Sequence, residues 1–195
     1  MRWIVFIILF LSAQLYASNE KVYLLVWGST QTYTGAGHMA VAFYDSNEIH
    51  YISHYPKSVG SIDTVIHNFE HLLSIDSLMG IQAYNAQLII EFSVSSKAFK
   101  KMKKAAKRNV KKSWSLFNLN CADLVKKSFR ASTFDLGYAF LISTPYELIN
   151  DLRDHNTEAF HTGKVKTIKG GIHPYLMKQP RAVPYVLKRF FFRGK

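Results

Sequence analysis

The sequence predicts a single compact domain that combines β-strands with α-helices. The chain has 195 residues, 48% of them hydrophobic, which suffices for one sizeable core and leaves no room for two independent ones. Five prolines and ten glycines exclude disordered and collagen-like chains. Apolar runs rich in β-branched and aromatic residues predict strands, and segments that begin with a capping residue predict helices.

The predicted strands lie in the first half of the chain. Residues 22–28 are a β-branched and aromatic run typical of a core strand, and a turn-rich loop follows them. Residues 38–44 and 48–55 are strand-like runs on either side of the turn formers Asp45-Ser46-Asn47, so they predict a β-hairpin. Residues 87–94 predict a further strand.

Helix signals are strongest in the second half. Ser95 or Ser96 can cap a helix over residues 97–108, and Asn120 can cap a helix over residues 121–129. A capping box with proline at the first helical position predicts a helix over residues 145–154.

Residues 57–80 form a connecting segment. Their apolar residues Val65, Ile66, Phe69, Leu72 and Leu73 have helical spacing. This spacing predicts a short helix within the segment.

The charge and the amino-terminal residues point to an exported protein with anionic partners. The chain carries 25 Lys and Arg against 13 Asp and Glu, a balance that favours anionic partners. A positive start, an apolar run over residues 3–11 and the small residue Ala17 predict a cleaved signal peptide over residues 1–17. Residues 18–195 then form a single domain that is periplasmic or secreted. An uncleaved membrane anchor is the alternative, and export argues against nucleic acid as a partner.

The most basic segment is the predicted helix between Lys97 and Lys112, which has nine Lys or Arg and no acid. Its narrow apolar stripe leaves most of the helix surface charged. Two interpretations remain open: a solvated face, or adhesion to an anionic envelope surface. The basic and aromatic tail around residues 188–193 is either interfacial or a terminal strand.

The chain has one cysteine, Cys121, so no internal disulfide can form. At a helix start, N–H groups and the helix dipole lower a thiol pKa, which favours a reactive nucleophile. A buried and inert thiol is the alternative. A nucleophile needs a base with an orienting partner, and His38 with His50 or His54 supplies the pair through the predicted hairpin.

Gly37-His38 before an apolar strand, His50 twelve residues later and Asn120-Cys121-Ala-Asp-Leu-Val far downstream resemble the circularly permuted papain-like hydrolases. Within these, the pattern is similar to the lecithin:retinol acyltransferase family and permuted NlpC-like peptidases. The resemblance covers residues 22–130, and residues 131–195, which include the basic carboxy-terminal extension, lie outside it. It implies an α+β fold in which the Cys-bearing helix packs on an antiparallel sheet. It also implies Cys121 as nucleophile, His38 as base and His50 as the group that orients His38.

The third member of the site depends on the hairpin register. The family spacing selects His50. If Asp45-Ser46-Asn47 is a three-residue loop, His38 instead faces His54.

His67, Glu70 and His71 provide a remote alternative, because their H-x-x-E-H spacing is that of a zinc peptidase if the segment is helical. No third ligand is evident, so we expect neither a metal nor a cofactor.

The expected function is therefore an exported thiol hydrolase, of amidase or endopeptidase type, that acts on cell-wall peptide. A lipid acyl hydrolase or acyltransferase of the same fold and an inactive envelope-binding module are the alternatives.

Overall fold

The computed structural model describes residues 20–27, 37–45, 48–56, 64–72, 76, 86–115, 118–137 and 143–170. Within these ranges the chain is an α+β protein with a six-stranded antiparallel sheet of order β4-β3-β2-β1-β5-β6. The strands are β1 (Lys21–Trp27), β2 (His38–Asp45), β3 (Glu48–Pro56), β4 (Thr64–Leu72), β5 (Leu88–Ser93) and β6 (Val165–Lys169).

Four helices are described, and each begins where the local sequence supplies a start signal or follows directly on its predecessor. They are α1 (Ser96–Asn109), α2 (Cys121–Phe129), α3 (Pro145–His155) and α4 (Thr157–His161). Ser95, Asn120 and Thr144 each accept a hydrogen bond from an N–H of the first turn, which caps α1, α2 and α3.

The two faces of the sheet bury different side chains. Val22, Val41 and Phe92 point toward the helices and share one core with Phe99 of α1 and Leu124 of α2. The alternate residues of the same strands form a second apolar cluster on the opposite face. The fully buried residues on that opposite face include Leu25, Ala40 and Ala42.

Most of the predicted elements are confirmed, and one is wrong. The hairpin β2–β3, the strands β1 and β5 and the helices α1, α2 and α3 occur within one or two residues of their predicted bounds. Residues 64–72 were expected to contain a helix, but they form strand β4 along the edge of β3. The short helix α4 and the edge strand β6 were not predicted. The predicted signal peptide and the tail beyond residue 170 lie outside the described residues.

The hairpin register determines which side chains can meet. Asp45 is the last residue of β2 and pairs with Glu48, so only two residues separate the strands, and Ala40 pairs with Ser53. Residues paired in this way share a face. His38 and Ser53 therefore lie on the face that points away from the helices, whereas His50 and His54 lie on the face that points toward them.

Candidate active site

The start of helix α2 is held by two side chains that cap each other's backbone. Asn120 Oδ1 accepts from the Asp123 N–H at 3.0 Å, and Asp123 Oδ2 accepts from the Asn120 N–H at 3.1 Å. Asn120 is buried, and its Nδ2 also donates to the Ser143 carbonyl at 2.9 Å. The predicted cap thus fixes the first turn of α2 both locally and against the segment that leads into α3.

Cys121 is the first residue of α2 and is partly exposed. The backbone N–H groups of Met39, the residue after His38, and of Ala122 lie close enough to its sulfur to favour the thiolate. These contacts fix the thiol at the start of strand β2. The α2 helix packs across β2 and β3 and brings its amino-terminal end to this point.

The pKa of Cys121 is opposite to the one expected from its place at a helix start. Burial raises it to about 11, and the Asp123 carboxylate raises it further, while the N–H groups of Met39 and Ala122 lower it. Desolvation of the thiolate outweighs the helix dipole because the sulfur lies against the sheet. The resting group is therefore a thiol, and the lowered pKa expected from the helix start is a wrong prediction.

His38 is the first residue of β2 and directly follows Gly37. Gly37 has a φ of 74°, which L side chains rarely adopt. The His38 ring is 3% exposed and lies 5.4 Å from the Trp27 ring, between centroids. Its Nε2 is 2.7 Å from Ser53 Oγ. The ring is thus held on one side by an aromatic surface and on one nitrogen by a hydroxyl.

Ser53 is the side chain in hydrogen-bond contact with His38, and the sequence pattern did not indicate it. It is 1% exposed and lies on β3, fifteen residues after His38. The family spacing pointed to His50, and the three-residue loop pointed to His54. A two-residue loop reverses which face each β3 residue occupies, so it brings Ser53 to His38. If Asp45 had been assigned to the end of the first strand, where it pairs with Glu48, the sequence would have pointed to Ser53.

The structure does not bring His50 to His38. His50 pairs with Phe43, on the helix side of the sheet and five residues along β2 from His38, a separation of about 16 Å. Its Nε2 is 3.4 Å from Asp45 Oδ1, and Asp45 Oδ2 accepts from Lys103 of α1 at 2.7 Å. The expected orienting role of His50 is corrected to a link between the hairpin and α1.

His54 lies near the candidate site but on the helix side of the sheet. It follows Ser53 in β3, and it is fully buried. Neither ring nitrogen makes a hydrogen bond of standard geometry, although the Lys112 backbone oxygen is close enough to favour the charged ring. Burial lowers the His54 pKa. His54 is therefore a neutral core histidine that lies beside the site.

The zinc-peptidase alternative at His67, Glu70 and His71 requires a helix, and this segment is a strand. His67 and His71 lie four residues apart in strand β4, where they are separated by about 13 Å, instead of one above the other on a helix. Among the described residues, no group of three His, Cys, Asp or Glu side chains could hold a metal ion.

The Cys121 sulfur therefore lies at the end of the sheet where β2 begins, next to the backbone of the residue that follows His38, and Ser53 Oγ lies 2.7 Å from His38 Nε2. The backbone N–H groups of Cys121 and Ala122 at the start of α2 both lie near the Cys121 sulfur and favour its thiolate. No helix in the described part of the chain is long and apolar enough to cross a bilayer.

Comparison with known proteins gives no relative: no family model, no curated protein and no solved structure matches this chain.

Proposed function

We propose that the protein is a thiol hydrolase in which Cys121 is the nucleophile, His38 the base and Ser53 the residue that positions His38. The observation that carries this proposal is the contact between the Cys121 sulfur and the Met39 N–H, one residue from a buried imidazole fixed at 2.7 Å. A nucleophile beside a base that is itself oriented by a third group is the arrangement that acyl transfer requires.

The raised thiol pKa implies that the proton is removed during the attack and not before it. In the tautomer that uses Nδ1 as the base, Nε2–H donates to Ser53 Oγ. The sulfur then forms a bond to the substrate carbonyl carbon while its proton passes to His38 Nδ1, and the carbonyl oxygen becomes an oxyanion. The N–H groups of Cys121 and Ala122 stabilise that charge. The oxyanion collapses, the bond to the leaving group breaks, and His38 returns the proton to it.

Hydrolysis completes the cycle. Water adds to the thioester on Cys121 and gives up a proton to His38, and the thiolate leaves and is protonated again. Each step balances with water as the only co-reactant.

The proposal includes a permuted papain-like fold and cell-wall peptide as the substrate. A permuted papain-like arrangement is supported by the order of the residues, with His38 before Cys121, and by helix α2 packed on an antiparallel sheet. An exported amidase or endopeptidase acting on cell-wall peptide fits the apolar run at residues 3–11 and the net charge of +12. A lipid acyl hydrolase or acyltransferase would use the same three residues.

One observation favours a second candidate, an inactive envelope-binding module. A thiol with a pKa of about 11 is weakly nucleophilic at neutral pH unless a base acts on it. If His38 does not reach the sulfur in the working protein, Cys121 is structural.

A substrate panel distinguishes these candidates. Wild type, Cys121→Ala and His38→Ala would be incubated with peptidoglycan fragments, short peptides and phospholipids, with products identified by mass spectrometry. Turnover of one class by wild type, and its loss in both variants, is the expected result. Turnover that persists in Cys121→Ala would overturn the assignment, and no turnover of any class would favour the binding module.

A further inference from the structure

The outward surface of helix α1 and of the turn that follows it is a continuous basic face, which we define as Lys97, Lys100, Lys101, Lys104 and Arg108 on the helix and Lys111 and Lys112 in the turn. All seven side chains are exposed. The opposite side of the helix is buried in the main core through Phe99, Met102 and Ala106. Because the buried side fixes the rotation of α1, the cations are held outward as a group.

A separate contact fixes the helix against the hairpin. Lys103 is not part of the basic face: it donates to Asp45 at 2.7 Å and lies 5.8 Å from the centroid of the Phe99 ring. The Asp45 carboxylate is thus paired on the side of α1 that faces the hairpin. Among the described residues, the seven cations of the basic face have no carboxylate within ion-pair distance.

The chemistry of the basic face suits a flat anionic surface. The five cations on the helix lie along about 17 Å of its length, and the face contains no exposed large hydrophobic side chain. A protein that binds single-stranded nucleic acid combines its charges with aromatic platforms for the bases, and this face has none. A helix that inserts into lipid presents an apolar side to it, whereas the apolar side of α1 is buried in the core.

We propose that the basic face of α1 docks the protein on an anionic phospholipid surface by electrostatic adsorption without insertion. The partner is the bilayer surface, recognised through its negative headgroups. Arg108, Lys111 and Lys112 are at the end of α1 nearest the candidate site, because the Lys112 backbone lies against the ring of His54, which follows Ser53. Docking therefore also brings the candidate site close to the lipid surface.

The test measures binding of the full chain to sedimented vesicles. One set of vesicles contains phosphatidylglycerol in phosphatidylcholine, and the other contains phosphatidylcholine alone. Each basic side chain near an anionic surface contributes about 1 kcal/mol, or about fivefold in affinity. Removal of three such charges weakens binding about 100-fold, and their reversal adds repulsion, so the triple variant Lys100→Glu, Lys101→Glu, Lys104→Glu should bind anionic vesicles at least 100-fold more weakly than wild type. Wild-type binding should also fall steeply with added salt.

A matched control carries the same charge change elsewhere. Arg130, Lys164 and Lys166 are exposed cations outside α1, and their reversal to Glu lowers the net charge by the same amount. This control should keep most of the wild-type affinity. Circular dichroism would establish that both triple variants are folded, and the full chain is used in every arm so that residues 3–11 contribute equally.

Three outcomes would overturn the proposal. They are unchanged binding in the α1 variant, an equal loss in both triple variants, and binding of a soluble polyanion such as heparin in preference to the anionic vesicles. Cys121→Ala should bind vesicles as wild type does, so docking and the proposed hydrolase activity can fail independently.

Discussion

Replacing Ser53 by alanine isolates the contact between Ser53 and His38, to which we assign a positioning role. The substitution removes the 2.7 Å bond between Ser53 Oγ and His38 Nε2 and changes no charge. Ser53 is 1% exposed and His38 is 3% exposed, so water cannot readily replace the lost partner. A buried polar group left without its partner costs about 1–3 kcal/mol. For a chain of this size each kcal/mol lowers the melting temperature by about 2–4 °C.

Ser128→Ala is the matched control for this substitution. Ser128 is also a fully buried serine with a 2.7 Å bond, which its Oγ donates to the Leu124 carbonyl within α2. That carbonyl is also an acceptor of the helix ladder, and alanine is the better helix former. Ser128→Ala should therefore change stability little and leave the site unaffected.

The assay combines thermal unfolding with ¹H–¹⁵N NMR of the imidazole nitrogens. In Ser53→Ala the melting temperature should fall and the His38 Nε2 signal should shift, while Ser128→Ala changes neither. If the proposed activity is present, Ser53→Ala should lower kcat more than it raises KM, because a misaligned base affects the chemical step. An unchanged His38 spectrum in Ser53→Ala would refute the positioning role.

Three further predictions concern the thiol, the helix cap and the buried histidine. Because burial raises the Cys121 pKa to about 11, iodoacetamide labelling should rise about tenfold per pH unit from neutral pH upward, and a plateau below pH 8 would contradict this. Asn120→Ala removes the cap of α2, worth about 1 kcal/mol, and the bond to the Ser143 carbonyl, worth about 1 kcal/mol more. Asn120→Ser should lose only the second contribution in urea unfolding, and equal losses would refute the double role. His54 has a lowered pKa in the folded state, so its neutral form stabilises the fold above the unfolded pKa of about 6.5, and this stability is lost as the pH falls below that value. His54→Phe should therefore show a weaker loss of stability in acid, and an unchanged acid dependence would exclude His54 as its source.

The helix starts were predictable because their signals are local. Asn120 and Thr144 form hydrogen bonds with groups only three residues away, so the sequence contains both members of each contact. The placement of Cys121 at the first position of α2 follows directly from the Asn120 cap. The nucleophile candidate was therefore identified from the sequence together with the helix that carries it.

The hairpin was predictable, but the face of the sheet on which each of its side chains lies was not. Both strands have strong β-propensity, yet the faces of their side chains depend on whether Asp45 ends β2 or begins the turn. That choice is decided by the pairing of Asp45 with Glu48 and by the Lys103 contact from α1, which lies 58 residues away in the chain. A change of one residue in the loop moves His50 and His54 to the opposite face and brings in Ser53.

Strand β4 and the Cys121 pKa also depend on contacts between elements, which the local sequence does not contain. Short apolar runs fit both helical and extended spacing, and pairing with β3 over seven residue positions decides for the strand. The helix dipole at Cys121 is a local effect and was expected. The burial that outweighs it depends on how α2 packs on β2, which sequence spacing does not contain.

Acylation by an activated ester reports directly on whether Cys121 is a nucleophile activated by His38. Wild type, Cys121→Ala, His38→Ala and His54→Phe would be mixed with p-nitrophenyl acetate, the early release of p-nitrophenolate followed, and the acyl group mapped by peptide mass spectrometry. We expect a burst equimolar with the wild-type protein and an acyl group on Cys121. The burst should be much slower in His38→Ala, unchanged in His54→Phe and absent in Cys121→Ala. A burst of equal size and rate in Cys121→Ala, or an acyl group found only on lysines, would contradict this assignment.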